Sequence, residues 1–249
     1  MNIGNLITLI IKSFVDVLKP RVLRLLAVPF LGSFLLWSLI TWLSWGWITS
    51  LGLRLYDLSL MQRLVQLLEP YFTMTSNPLV AVTAGAIIFV VILPAALVTA
   101  ILLASAILIP VFVSELRRSE FPNLKKASNS ILSSLRHSLS YSVRYLFVWI
   151  GTLPFWISFP IAAIVIPYVL LSWFNSRVFS WEALMEISSG PEAKAFMKQN
   201  SRSLFWLGIL TTPLYYIPLF NLLAPVFVSS IFTRYCVTQF RDFRFVPNT

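Results

Sequence analysis

Charge is scarce in this chain. Only 11% of its 249 residues are Asp, Glu, Lys or Arg, against about 25% in an ordinary soluble domain. Hydrophobic residues make up 58%, and the mean hydropathy is +0.82. That composition excludes a soluble globular class and leaves an integral membrane protein. Acids are scarcer still. Asp16, Asp57 and Asp242 are the three aspartates, all in polar flanks, and no long uncharged stretch is interrupted by a carboxylate. An intramembrane protease or lipid hydrolase needs a nucleophile, acid or metal ligand at membrane depth. No catalytic residue, and hence no enzyme, is expected. The one histidine, His137, has basic neighbours and reads as a solvated or interfacial side chain. Cys236 is alone, so neither a disulfide within one chain nor a cysteine metal site is expected. The eight glycines form no phosphate-binding loop, and no cofactor is expected. The first 19 residues lack the basic start and small-residue cleavage site of a signal peptide.

What the chain does have is four long runs without charge: Leu25–Leu53, Pro70–Ser114, Tyr145–Ser176 and Ser203–Thr233. A helix crosses the hydrocarbon layer with about 20 apolar residues, so every run can enter a membrane. Nine tryptophans and eight tyrosines suit interfacial belts. Residues 20–48 read as a first transmembrane helix, opened by Pro20, with Trp37, Trp42, Trp45 and Trp47 toward its far end. Residues 79–113 read as a second, long enough that it must tilt, kink at Pro94 or project beyond the bilayer. Ala96, Ala100 and Ala104 recur every four residues and permit close approach of another helix. Between these spans, 54–69 reads as a short external helix.

The third and fourth runs are alike. Pro154, Pro160 and Pro167 match Pro213, Pro218 and Pro225 at offsets of 59, 58 and 58. Proline removes a helical hydrogen bond and clashes with the preceding turn. The runs hold 32 and 31 uncharged residues, whereas two full spans and a turn need about 40. Two half-helices joined at a proline turn fit the length. Residues 145–176 and 203–233 are therefore expected to be two half-penetrating helical hairpins, a weak internal repeat.

Amphipathic segments flank them. In 1–19, Ile3, Leu6, Ile7, Ile10, Ile11, Phe14, Val15 and Leu18 share a face, with Asn5, Lys12, Asp16 and Lys19 opposite. That pattern suits a helix lying in the headgroup layer. Residues 115–144 read as a basic, serine-rich amphipathic helix and 177–202 as a polar helix. The fold expected is thus all-α, one membrane domain over 1–249.

The balance of charge is +10. Basic residues flanking membrane segments account for it without any nucleic-acid partner. Lys and Arg number four in 1–24, two in 54–69, six in 115–144, four in 177–202 and three in 234–249. If the last two runs are hairpins that return to the side they entered, every strongly basic segment faces the cytoplasm and both termini do too. Several features suit an anion. Arg21 and Arg24 fall at the opening of the first span, where an anion bridging them and free backbone N–H groups is favoured. Pro160 and Pro218 would start the second half-helix of each hairpin, and such starts receive anions at mid-membrane depth. Asn221 follows closely, the only Asn, Gln or charged residue of the fourth run.

The stretch Tyr216-Ile217-Pro218-Leu219-Phe220-Asn221-Leu222-Leu223-Ala224-Pro225-Val226, preceded by Leu207-Gly208, resembles the C-terminal signature of the CysZ-type sulfate permeases and the wider etoposide-induced membrane protein family. Ser13-Phe14, Pro20, Arg24 and Pro29 resemble that family's opening, and Ile109-Pro110-Val111-Phe112 with Ser114-Glu115-Leu116 resembles the close of its second long helix. The resemblance implies two long transmembrane helices with two pairs of half-penetrating helices, often dimeric, in the bacterial inner membrane. It also implies a permease or channel for a small oxyanion, sulfate first, without its own ATPase. The site residues would be Arg21, Arg24, Pro160, Pro218 and Asn221, with membrane lipids and a second copy of the chain as expected partners. The other open function is a non-transporting scaffold or lipid-interacting protein of the same fold, in which Arg21 and Arg24 bind lipid phosphates.

Overall fold

The computed structural model describes residues 3–25, 27–55, 62–63, 85, 87–122, 127, 131–217 and 220–245. Among them every regular element is helical. In chain order they are α1 (Ile3–Val17), α2 (Pro20–Leu25), α3 (Val28–Leu43), α4 (Trp45–Leu55), a π-helical turn (Ile88–Ile92), α5 (Leu93–Ser119), α6 (Ile131–Ser158), α7 (Ala162–Met185), α8 (Gly190–Gln199), α9 (Ser201–Thr211), a 3₁₀ turn (Thr212–Tyr215) and α10 (Phe220–Phe245). Two helices are long and apolar enough to cross a membrane, Val90–Ser119 and Ala162–Met185. The chain divides into two compact units, 31–99 and the remainder, 1–30 with 100–249.

In the smaller unit the hydrogen-bond ladder runs through Ser44, which joins α3 to α4: Ser44 donates to Ile40 and Ile48 donates to Ser44, both at 2.9 Å. The first span was expected over 20–48. Instead, a turn at Ala27 separates α2 from a helical stretch that starts at Val28 and reaches Leu55. The reason is local: Pro29 fits the first turn of a helix but disfavours helical backbone just before it. Ser33 Oγ donates to the Ala96 carbonyl at 2.7 Å, and Trp37 Nε1 donates to Thr99 Oγ1 at 3.0 Å. Small and hydroxyl residues holding helices together are characteristic of lipid-embedded packing. Ahead of Pro94 the helix widens, with Leu93 N–H bonding to Ile88 C=O five residues back. Proline cannot bond four residues back, and one π turn absorbs the mismatch. The expected external helix at 54–69 and residues 79–84 fall almost wholly outside the described residues.

The larger unit is built around α10. From Ala224 to Val237 this helix is buried on every face, as expected of a central helix. It packs along α7 and α1, while α6 and α9 also pack along α7. Phe14 of α1 stacks on Phe227 of α10, ring centroids 4.2 Å apart. Val17, Val22, Ala104, Leu108, Phe112, Val226 and Phe227 form one apolar cluster, so Ala104 does serve a close contact.

Two expected boundaries move. The 115–144 segment is not one helix, since α5 continues to Ser119 and α6 runs unbroken from Ile131 through the polar residues into the apolar run. The 177–202 segment is also divided. Its first part continues α7, and α8 begins anew after Ser189, whose backbone N–H donates to the Glu192 carboxylate at 2.8 Å, with Pro191 in the first turn. Ser-x-x-Glu with an early proline is a start signal that interrupts an otherwise helical polar stretch. The prolines of the paired runs do not all break their helices either. Pro154, Pro167 and Pro225 lie inside α6, α7 and α10, whereas Pro160 occupies the turn between α6 and α7 and Pro213 the switch from α9 into the 3₁₀ turn.

Candidate functional site

The surface around the two turns is strongly apolar. Phe155, Phe159, Ile161 and Ile164 are exposed at the α6–α7 turn, Ile161 to 77%, and Tyr216, Ile217 and Phe220 are exposed near the second. Water does not tolerate a continuous patch of this kind, whereas lipid does. Behind it, the α7–α9 interface is polar. Ser172 and Thr212 hydroxyls lie 2.7 Å apart, Tyr168 Oη donates to the Ile209 carbonyl, and Tyr215 Oη donates to Asn175 Oδ1 at 3.5 Å. Asn175 is fully buried and its Nδ2 has no partner. Gly208 permits this seam: a Cβ there would overlap the Ser172 carbonyl oxygen.

On the α1 side, an ion cluster ties the two ends of the chain together. Arg234 Nη2 donates to Asp16 Oδ2 at 2.6 Å and Nη1 to Glu120 Oε1 at 2.7 Å. Lys19 Nζ lies 2.8 Å from Asp16, and Lys12 Nζ 3.9 Å from Glu120. Burial alone would lower the Arg234 pKa, but the hydrogen bonds and charges of Asp16 and Glu120 outweigh it and raise it. A cavity of about 400 Å³ opens beside the cluster, lined by Lys12, Glu120, Asn200 and Arg234 among others. Its cations are matched by carboxylates, so the cluster works as a clamp that fixes α1 on α10. On α1, Ser13 and Asp16 turn inward, while Ile11, Lys12, Phe14, Val15 and, just past its end, Leu18 are exposed.

A second, smaller cavity of about 270 Å³ has a different balance. Arg177 comes from α7, Lys194 and Lys198 from α8, and His137 from α6. His137 is not simply solvated, as its sequence position implied. Its ring stacks on Trp181 with centroids 3.8 Å apart and planes 16° apart. Burial, then the charges of Lys194, Arg144 and Arg177, push its pKa down from 6.5 to about 4. Sequence reading missed this cavity. The signal was the aromatic row His137, Tyr141, Tyr145, Trp149 at every fourth position, which meets Trp181, Trp173 and Phe174 of α7.

The residues singled out from sequence fall at the following places. Arg24 is exposed in the last turn of α2, a position where a cation complements the helix dipole. Arg21 lies on the same short helix, and Pro218 lies outside the described residues. Pro160 is exposed in its turn, where the second and third amides after it donate to turn carbonyls: Ala162 to Phe159 at 2.8 Å and Ala163 to Pro160 at 3.2 Å. Asn221 is exposed and its amide donates to Ile217 at 2.9 Å. Neither cavity is lined by Arg24, Pro160 or Asn221.

A wholly helical set of described elements, two helices fit to span, and broad apolar exposure point to an α-helical membrane protein. Over residues 9–225 the chain matches the family described as Sulfate transporter CysZ/Etoposide-induced protein 2.4, and it belongs to that family. No curated protein and no solved structure matches it.

Proposed function

We propose that this chain is a permease or channel that carries a small oxyanion, sulfate first, across the bacterial inner membrane with both termini cytoplasmic. The observation that carries the reading is the buried seam between α7 and α9. Tyr168, Ser172, Asn175, Thr212 and Tyr215 supply neutral polar groups there, in a chain whose uncharged runs contain no carboxylate. Neutral dipoles without a competing negative charge suit an anion that must leave water. The family description points the same way.

The hairpin lengths support partial penetration. At 1.5 Å per residue, the uncharged parts of α6 (145–158), α7 (162–176) and α10 (220–233) reach about 21, 22 and 21 Å. A hydrocarbon core is about 30 Å thick, so each uncharged stretch falls short of the far side, although α7 taken whole (Ala162–Met185) is long and apolar enough to cross. In this reading Arg21 and Arg24 gather the anion at the membrane surface. The helix starts after Pro160 and Pro218, with Asn221, receive it at mid-depth, which requires the turn hydrogen bonds of Ala162 and Ala163 to exchange. A second copy is the expected partner in the bilayer.

The test is labelled-sulfate uptake into liposomes bearing the purified protein. Flux above that of empty liposomes is expected, reduced in the Arg21→Ala/Arg24→Ala double variant. Flux equal to empty liposomes refutes transport, and a double variant as fast as the parent refutes the arginine role. One observation favours the second reading, a lipid-organising scaffold: the apolar face of α1 is exposed at Ile11, Val15 and Leu18, as a helix seated in the headgroup layer requires.

A further inference from the structure

We infer that the cavity between α6, α7 and α8 is a binding site for a tetrahedral oxyanion, a phosphate or sulfate group, held by Arg177, Lys194, Lys198 and the indole N–H of Trp181. The site is separate from Arg21 and Arg24 and stands whether or not the chain transports. Three observations converge on it. First, the charge is uncompensated. Among the described residues no carboxylate lies within 4.0 Å of Arg177, Lys194 or Lys198. Glu182, on the same helix as Arg177, is occupied by the Ser134 hydroxyl at 2.6 Å and the Ser138 hydroxyl at 2.5 Å. The other cavity, by contrast, carries an acid of its own, Glu120.

Second, the cavity wall includes a donor with nothing to donate to. Trp181 is only 4% exposed, lines the cavity, and its Nε1 has no hydrogen-bond partner. Buried N–H groups are nearly always paired. Third, His137 stacks on that indole and its own Nε2 is buried and unpartnered. Burial, and after it Lys194, Arg144 and Arg177, disfavour the charged form of this ring. An anion among those cations would offset part of their field at the ring. Arginine and lysine heads, an indole N–H and an imidazole together suit the oxygens of one tetrahedral ion.

The chemistry is shared by free phosphate or sulfate and by a lipid phosphate, and two arms separate them. In the first arm, the full chain in detergent is titrated calorimetrically with sodium phosphate and sodium sulfate, against sodium chloride at equal ionic strength. In the second, the chain is placed in nanodiscs of phosphatidylcholine with or without phosphatidic acid, and the phosphate titration is repeated. Saturable binding that Lys194→Gln/Lys198→Gln weakens about tenfold or more supports the site. Both lysines are exposed, so that variant folds. Trp181→Phe keeps a ring against His137 and should weaken binding severalfold. Loss of the phosphate response only in phosphatidic acid discs assigns the site to lipid phosphate. No saturable response in detergent together with no lipid effect, or a double lysine variant that binds like the parent, overturns the inference.

Discussion

Gly208 sits on α9 where that helix lies against α7, and a methyl group added there would overlap the backbone carbonyl oxygen of Ser172. Backbone cannot rotate away as a side chain can, so Gly208→Ala must push the two helices apart. Overpacking of this kind costs about 1–3 kcal/mol. Separation also loosens the Ser172–Thr212 and Tyr168–Ile209 hydrogen bonds, each worth about 1 kcal/mol. Against this, alanine is favoured over glycine inside a helix by about 1 kcal/mol. The net expectation is a loss of about 2 kcal/mol, or roughly 4–8 °C in Tm for a chain of this size. Gly151 on α6 is the control, because a Cβ there meets nothing within 4 Å, and Gly151→Ala should keep only the favourable helix term. Thermal unfolding of the two variants in one detergent, followed by tryptophan fluorescence, reads the difference directly. If Gly208→Ala melts at or above the parent temperature, the close approach of α7 and α9 is wrong, and with it the seam on which transport is argued.

Arg234→Met should cost about 3 kcal/mol, because it leaves Asp16 and Glu120 without their shared guanidinium; Lys19, 2.8 Å from Asp16, keeps the loss at the low end. Added Asp16→Asn should restore part of that Tm by removing the stranded charge, and a double variant no better than Arg234→Met refutes the clamp. His137 gives a pH dependence of defined sign. Its folded pKa is pushed from 6.5 to about 4, so between those values the unfolded chain binds the proton and the folded chain does not. Stability is therefore full above 6.5 and is lost as the pH falls toward 4. Tm measured across that window should fall less in His137→Asn than in the parent, and equal slopes would count against the buried, cation-flanked ring.

Much of the architecture was legible because it follows from short-range rules. Uncharged runs of 30 or so residues have nowhere to go but lipid, and a proline at position 160 between two apolar stretches made the α6–α7 turn readable. Other signals were present but were outweighed. Ser189 and Glu192 with Pro191 mark the start of α8, yet the polar segment around them has helical character throughout. The aromatic row from His137 to Trp149 reads equally well as an interfacial stripe, and only the packing of α6 on α7 shows what it meets.

Composition and periodicity by themselves determined that the chain is helical and that it belongs in a membrane. They could do so because hydrophobicity, proline geometry and charge act on each residue where it stands. Which polar groups meet was decided by tertiary structure alone. Asp16 and Arg234 are separated by most of the sequence, and Arg177, Lys194 and His137 come from three helices. Electrostatic pairing depends on distance in space, and that distance exists only once α1 has docked on α10 and α8 has folded back beside α7.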